Sequence, residues 1–194
     1  MSRNERGFTL VEIAIVMVII GLLLGGVLKG QEMVNNARIK RVEDDINSTS
    51  AAFLTYQDRY QQLPGDDNGA NARFGTVANG NANGVIAGNF DTATAGQESR
   101  LVWAHLRAAN LVTGSGDVQP KNPFGGLTGV EDSIYGLAGD VVCLSGIPGD
   151  AAQTVDTQID DGNPNSGTVQ AGTTHNAVAA SYVATSSYDV CSRI

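Results

Sequence analysis

One apolar segment near the amino terminus constrains the fold of this chain more than any other feature. Phe8 begins a run of 21 mostly apolar residues that ends at Leu28 and contains one carboxylate, Glu12. As a helix, this run would be about 31 Å long, which is enough to cross the hydrocarbon core of a membrane. Because a charged side chain costs free energy inside such a span, Glu12 is expected to have a partner.

A short basic leader, MSRNERG, precedes the apolar run and ends at Gly7. A secretory signal peptide fits poorly, because its small-residue cleavage site normally follows the apolar run rather than preceding it. Arg3 and Arg6 lie before the span, and an acidic region lies beyond it. This asymmetry predicts that the leader faces the cytoplasm and that the bulk of the chain lies on the other side of the membrane.

The residues at the junction, GFTLVE from Gly7 to Glu12, resemble the class III signal of type IV pilins and of the pseudopilins of type II secretion. The resemblance implies that a prepilin peptidase cuts after Gly7 and methylates the new amino terminus at Phe8. It also implies that Glu12 meets the charged amino terminus of a neighbouring subunit during assembly. An ordinary membrane anchor is the alternative, but it explains neither Gly7 nor the short leader.

The helix is predicted to continue beyond the apolar run. Apolar and aromatic residues recur at alternating spacings of three and four, as on one face of a helix: Ile39, Val42, Ile46, Thr49, Phe53, Tyr56, Tyr60 and Leu63. Pro64 and Gly65 then provide a stop signal. We expect a helix over residues 8–63 whose second half packs on a globular domain, with a coiled-coil seam as the alternative.

The rest of the chain predicts one small domain with many turns. Residues 66–192 carry 13 acidic and 4 basic residues, so this surface would repel phosphate backbones and nucleic acid is not expected as a partner. The pattern predicts a helix at residues 97–111 and short strands at 134–137, 140–144 and 179–183. These elements indicate an α+β fold, with a long helix against a small antiparallel sheet and a loop-rich carboxy-terminal region.

The resemblance adds an expected organisation of the chain. Residues 1–7 would be the cleaved leader, and residues 8–30 the protruding half of the helix, which spans the membrane or lies in the filament core. Residues 31–63 would be the amphipathic half of the helix, and residues 64–194 a pilin-like head.

Cys143 and Cys191 are the only cysteines. Export would place them in a compartment where disulfides persist, so one bridge is expected, with two buried thiols as the alternative. Such a bridge would resemble the carboxy-terminal disulfide loop of many pilins. Two cysteines without a partner histidine make a poor metal site.

One acidic loop collects oxygen ligands around a turn. It comprises residues 159–167, IDDGNPNSG, with Asp156 upstream. Calcium binds several such oxygens, and some pseudopilins bind it in a carboxy-terminal loop. The candidate ligands are Asp156, Asp160, Asp161 and Asn163, but the EF-hand pattern is not met because its closing Glu is missing. We therefore expect an ordinary turn without a cofactor, with calcium binding as the alternative.

Catalysis finds no support in the sequence. The chain contains no G-x-S-x-G, H-E-x-x-H or G-x-x-x-x-G-K motif. We expect His105 to be a half-buried packing residue on the predicted helix and His175 to be solvated in a polar loop.

Together these features predict a structural subunit of a type IV pilus or type II secretion pseudopilus, and within that class a minor pilin or pseudopilin. The expected partners are prepilin peptidase, other pilin or pseudopilin subunits and an inner-membrane assembly platform. The expected location is the inner membrane, crossed once, with the domain on the periplasmic side until assembly. The alternative is a membrane-anchored extracytoplasmic module that binds a ligand or calcium.

Overall fold

The computed structural model describes residues 8–194, and the leader with Gly7 lies outside the described residues. The helices are α1 (Leu10–Tyr60), α2 (Ala70–Phe74), α3 (Glu98–Ala108) and α4 (Gly149–Ile159). The strands are β1 (Thr128–Ile134), β2 (Leu137–Pro148), β3 (Val169–Thr174), β4 (Ala177–Val178) and β5 (Ser187–Arg193). The chain divides into two compact units, the first ending at Ala37 and the second spanning Arg38–Ile194.

The described part of the first unit is the amino-terminal portion of α1. Its large apolar side chains from Phe8 to Leu28 expose between 45% and 89% of their surface. By length and composition, this helix could cross a membrane. An apolar surface of this extent needs lipid or other protein around it, because water solvates it poorly.

The second unit is built on one face of α1. The predicted stripe is buried from Ile39 to Tyr56, whereas Tyr60 and Leu63 are only partly buried. The helix ends at Tyr60, three residues before the predicted end. Gln61 follows with a φ of 53°, a left-handed conformation that cannot continue a right-handed helix.

The sheet is antiparallel and has the order β1-β2-β5-β3-β4. Because side chains alternate along a strand, the sheet presents two apolar faces. One face contributes to the core formed with α1 and α4, through residues such as Val142, Leu144 and Val190. The long amino-terminal helix and the small antiparallel sheet confirm the predicted α+β fold class.

A smaller apolar cluster covers the other face of the sheet, and the disulfide lies in it. Cys143 in β2 is directly opposite Cys191 in β5, with their Cα atoms 4.1 Å apart. Both residues are fully buried, beside Phe90 and Val141. The predicted bridge therefore joins two neighbouring strands in the interior of the sheet.

Two of the three predicted strands are wrong. Residues 134–137 are not one strand: Ile134 ends β1, Leu137 begins β2, and Tyr135 and Gly136 form the turn between them, with φ values of 55° and 99°. Residues 179–183 lie outside the strands, although the backbone N–H of Ala179 still donates to the carbonyl of Ala171. The segment at 140–144 is confirmed as part of β2, and the helix predicted at 97–111 forms as α3.

We predict that removing the disulfide lowers stability without changing the sheet order. The double variant Cys143→Ala/Cys191→Ala should lose about 2–4 kcal/mol of unfolding free energy, because its unfolded chain is no longer cross-linked. Denaturant unfolding of the full chain in detergent measures this loss. The control is the unaltered chain in reductant, which should approach the variant. An unchanged midpoint in both samples would contradict the prediction.

Candidate functional site

The amino-terminal site is a pair of side chains at the start of α1. The backbone N–H and the hydroxyl of Thr9 donate to Oε2 of Glu12, at 2.8 and 2.9 Å. In return, the backbone N–H of Glu12 donates to Oγ1 of Thr9 at 3.2 Å. This reciprocal arrangement is a capping box, which satisfies N–H groups that have no partner in the first turn of a helix.

The capping box gives Glu12 a partner within its own chain. Both hydrogen bonds that Glu12 accepts from described residues go to Oε2, which leaves Oε1 for another donor. Phe8, which precedes Thr9, is 83% exposed. Gly7, the other predicted processing residue, lies outside the described residues.

The acidic loop brings three of its four candidate ligands together. One carboxylate oxygen each from Asp156, Asp160 and Asp161 lies within 4.8 Å of the others. Asp156 lies in α4 rather than in the loop, and it is fully buried. The fourth candidate, Asn163, is on the adjoining turn, where its backbone N–H donates to Asp161 at 2.8 Å.

Each of these carboxylates already accepts hydrogen bonds from the protein. Asp156 accepts one from the Tyr182 hydroxyl at 2.7 Å. Asp160 accepts from two backbone N–H groups of residues 168 and 169, and Asp161 accepts from the Ser166 hydroxyl. Burial raises the pKa of Asp156, opposed by its hydrogen bonds, whereas the bond from Ser166 lowers the pKa of Asp161.

A buried polar network at the end of α1 was not found from the sequence. Asp67 accepts hydrogen bonds from the Tyr56 hydroxyl at 2.6 Å and from the Gly69 N–H at 2.7 Å, and it forms an ion pair with Arg73. Burial of Asp67 opposes its ionisation, but these contacts together hold its pKa below the usual range. The guanidinium of Arg73 also lies over the ring of Tyr60, 4.5 Å from its centre.

Two more buried carboxylates hold the loop at residues 79–87. Asp66 accepts hydrogen bonds from the backbone N–H groups of Asn83 and Gly84, at 3.2 and 2.7 Å. Glu98, at the start of α3, accepts two others from the same loop, at 3.1 and 2.9 Å. The sequence contains one hint of this arrangement, a loop rich in Asn and Gly that lies between the two acids. The spacing of these residues does not show which carboxylate accepts from which backbone N–H.

Both histidines lie where predicted, on α3 and in a turn, but the predicted exposure of each was wrong. His105 is fully buried, where Gly65 N–H donates to its Nδ1 at 2.9 Å and its Nε2 lies 2.8 Å from the carbonyl of Ala78. His175 is mostly buried rather than solvated, and its Nε2 lies 3.5 Å from Glu131. Burial raises the pKa of Glu131 to about 7.

The comparisons with known proteins bear on the amino-terminal segment. Residues 2–28 match a family model described as the prokaryotic N-terminal methylation motif. The chain carries this motif. The segment is type IV pilin-like, as the residues from Gly7 to Glu12 predicted. The match covers the leader and the apolar run, and it leaves the head to be interpreted from its own structure.

One solved structure resembles the chain, that of the major type IV pilin PilA1 from Clostridium difficile. The sequences are 12% identical, the TM-score is 0.42, and the match covers 81% of this chain and 96% of that one. No curated protein matches the chain.

We predict that His105 makes the fold sensitive to acid. Burial lowers its pKa in the folded chain, so the unfolded chain binds a proton first as the pH falls through about 6.5. The stability that this residue contributes is present above that pH and falls below it, by up to about 1.4 kcal/mol per pH unit.

The measurement is the unfolding free energy of the full chain and of His105→Gln, at pH 8 and at pH 5. Comparing the two proteins cancels the contribution of Glu131, whose raised pKa acts in the opposite direction. The advantage of the unaltered chain over the variant should shrink at pH 5. A difference that is the same at both pH values would show that His105 does not titrate as predicted.

Proposed function

We propose that this chain is a structural subunit of a type IV pilus or a type II secretion pseudopilus, and that it acts by assembly rather than by catalysis. In this proposal, prepilin peptidase cuts after Gly7 and methylates the amino terminus at Phe8. The observation that carries the proposal is an exposed apolar helix that lies within a methylation motif. In the first turn of this helix, the carboxylate of Glu12 caps the helix.

The membrane and the filament would cover the same apolar surface in turn. Lipid would surround the side chains from Phe8 to Leu28 while the subunit is stored in the inner membrane, with its head on the periplasmic side. Helices of neighbouring subunits would cover them after assembly by the inner-membrane platform. This exchange needs little net change in burial, because lipid chains and apolar side chains solvate the helix similarly.

Glu12 would then decide how neighbouring helices align. Its Oε2 caps its own helix through Thr9, and Oε1 would accept a hydrogen bond from the charged amino terminus at Phe8 of the next subunit. In an apolar interior, each of these charges is costly alone, and pairing them offsets the cost. The pair would therefore favour one axial register between subunits.

We further propose a minor pilin or pseudopilin role within this class. Its test is the ratio of this chain to the main subunit in purified filaments, since a minor subunit is present at a small fraction of the main one.

A second candidate function is a membrane-anchored binding module. The clustered oxygens of Asp156, Asp160 and Asp161 favour it, because such oxygens can bind calcium.

The first experiment follows processing and assembly together. Intact mass spectrometry should find a chain that begins at Phe8 and carries one methyl group. Glu12→Ala should still be processed, but its amount in sheared filaments should fall by about tenfold or more, the effect of about 1.4 kcal/mol.

The matched control is Glu32→Gln. Glu32 is a second carboxylate on the same helix, exposed and paired with Lys29 at 2.9 Å, so its loss should leave assembly unchanged. If the leader is retained and the chain is absent from filaments, the anchored binding module becomes the better explanation. If Glu12→Ala assembles normally, the role proposed for Glu12 is wrong.

The second experiment tests the calcium alternative. We expect calcium to raise the melting temperature no more than magnesium does, because the three carboxylates already accept hydrogen bonds from the protein. A calcium-specific rise that disappears in Asp160→Asn/Asp161→Asn would contradict this expectation. Asp44→Asn, which removes an exposed carboxylate on α1, is the control and should behave as the unaltered chain does.

A further inference from the structure

A cleft of about 370 Å³ lies between the second half of α1, helix α3 and the loop at residues 111–121. Its charged lining residues are Arg41, Asp45, Arg107 and Lys121, and Trp103 forms part of its wall. All of these residues belong to the second unit. The cleft has the volume of a site for one small organic molecule.

The positive charge of this cleft contrasts with the rest of the unit. From Arg38 to Ile194 the chain has 17 acidic and 9 basic residues. The cleft collects three of these basic residues and one acid, Asp45, which Arg41 already contacts at 2.9 Å. A concave surface with this excess of positive charge attracts anions.

Arg107 is half-buried without a contacting carboxylate. Its Nε and Nη1 donate to backbone carbonyls of residues 113, 116 and 118, and it forms no ion pair with a described residue. Burial removes part of the hydration of its guanidinium and thereby lowers its pKa. The acid nearby, Asp117, is bound to Arg100 at 2.7 Å. An anion beside Arg107 would offset the cost of this unpaired charge.

Trp103 lines the same cleft as Arg107. The side chain is 1% exposed, and its indole Nε1–H has no hydrogen-bond partner among the described residues. The guanidinium of Arg107 lies over the indole, 5.8 Å from the ring centre. The Nε1–H is enclosed by the protein, so the indole contributes an aromatic wall to the cleft rather than a donor.

A larger cleft of about 580 Å³ also includes Arg107, on the other side of α3. Its second charged lining residue is Asp117, so its lining charges balance. The smaller cleft keeps an excess of positive charge and has the indole of Trp103 in its wall. It is therefore the better anion site.

We propose that this cleft binds a small organic carboxylate of the size of one sugar acid. Arg107 and Lys121 supply the charge, because guanidinium and ammonium groups make the strongest hydrogen bonds to carboxylates. The hydroxyls of Ser48, Thr49 and Thr113, which also line the cleft, suit the neutral oxygens of such a molecule. This binding is independent of assembly through α1.

The chain carries its own reporter, since Trp103 is its only tryptophan. We would titrate the full chain in detergent with glucuronate, with glucose and with inorganic phosphate, and follow tryptophan fluorescence. Glucuronate should cause a saturable change in the millimolar range, and neither glucose nor phosphate should match it. Lys121→Gln should weaken glucuronate binding about tenfold, the loss of one charge-assisted hydrogen bond.

Lys40→Gln is the matched control. It removes one exposed lysine charge that is not part of the cleft, so the affinity should stay unchanged.

Three results would each overturn the proposal. The first is no saturable change with glucuronate. The second is an equal response to glucose or phosphate, which would remove the carboxylate preference. The third is equal weakening by Lys40→Gln and Lys121→Gln, which would reduce the effect to overall charge. Lys121 is exposed, so its variant should fold. A change at Arg107 would be a poorer test, because Arg107 holds the loop at residues 113–118 through its hydrogen bonds.

Discussion

The packing of one face of α1 against the sheet and α4 organises the second unit of this protein. The stripe from Ile39 to Tyr56 supplies one wall of the core, and the inward residues of β2 and β5 supply the other. The disulfide pins the same two strands together from the opposite face of the sheet. The head, residues 64–194, carries 19 of the chain's 24 glycines and many turns, and these two contacts hold its central strands in place.

Buried carboxylates stabilise, through hydrogen bonds, loops that lie outside this core. Asp66, Asp67 and Glu98 accept hydrogen bonds from backbone N–H groups and from side chains around the end of α1. Backbone groups in irregular segments need such partners, since no neighbouring strand or helix satisfies them. The acidic composition of the head is therefore partly structural, and part of it lies inside rather than on the surface.

Local patterns account for what could be predicted from the sequence. The stripe on α1, the motif from Gly7 to Glu12 and the helix near residues 97–111 all depend on neighbours within one or two turns. The strands were predicted less well, because apolar and aromatic content at 134–137 and 179–183 marks a turn and a loop in this fold. The strands β3 and β5 mix polar and apolar residues, and their conformation depends on pairing, of β5 with β2 and of β3 with β5.

The sequence by itself determined a long helix with an apolar amino-terminal half and a single apolar face in its second half. It also determined the processing motif and the presence of one pair of cysteines, since each is a property of residue type and spacing. The tertiary structure decided which acids are buried, that His105 is enclosed and His175 partly buried, and that Trp103 and Arg107 share a cleft. Those outcomes depend on contacts between segments far apart in the chain, and periodicity carries no information about such contacts.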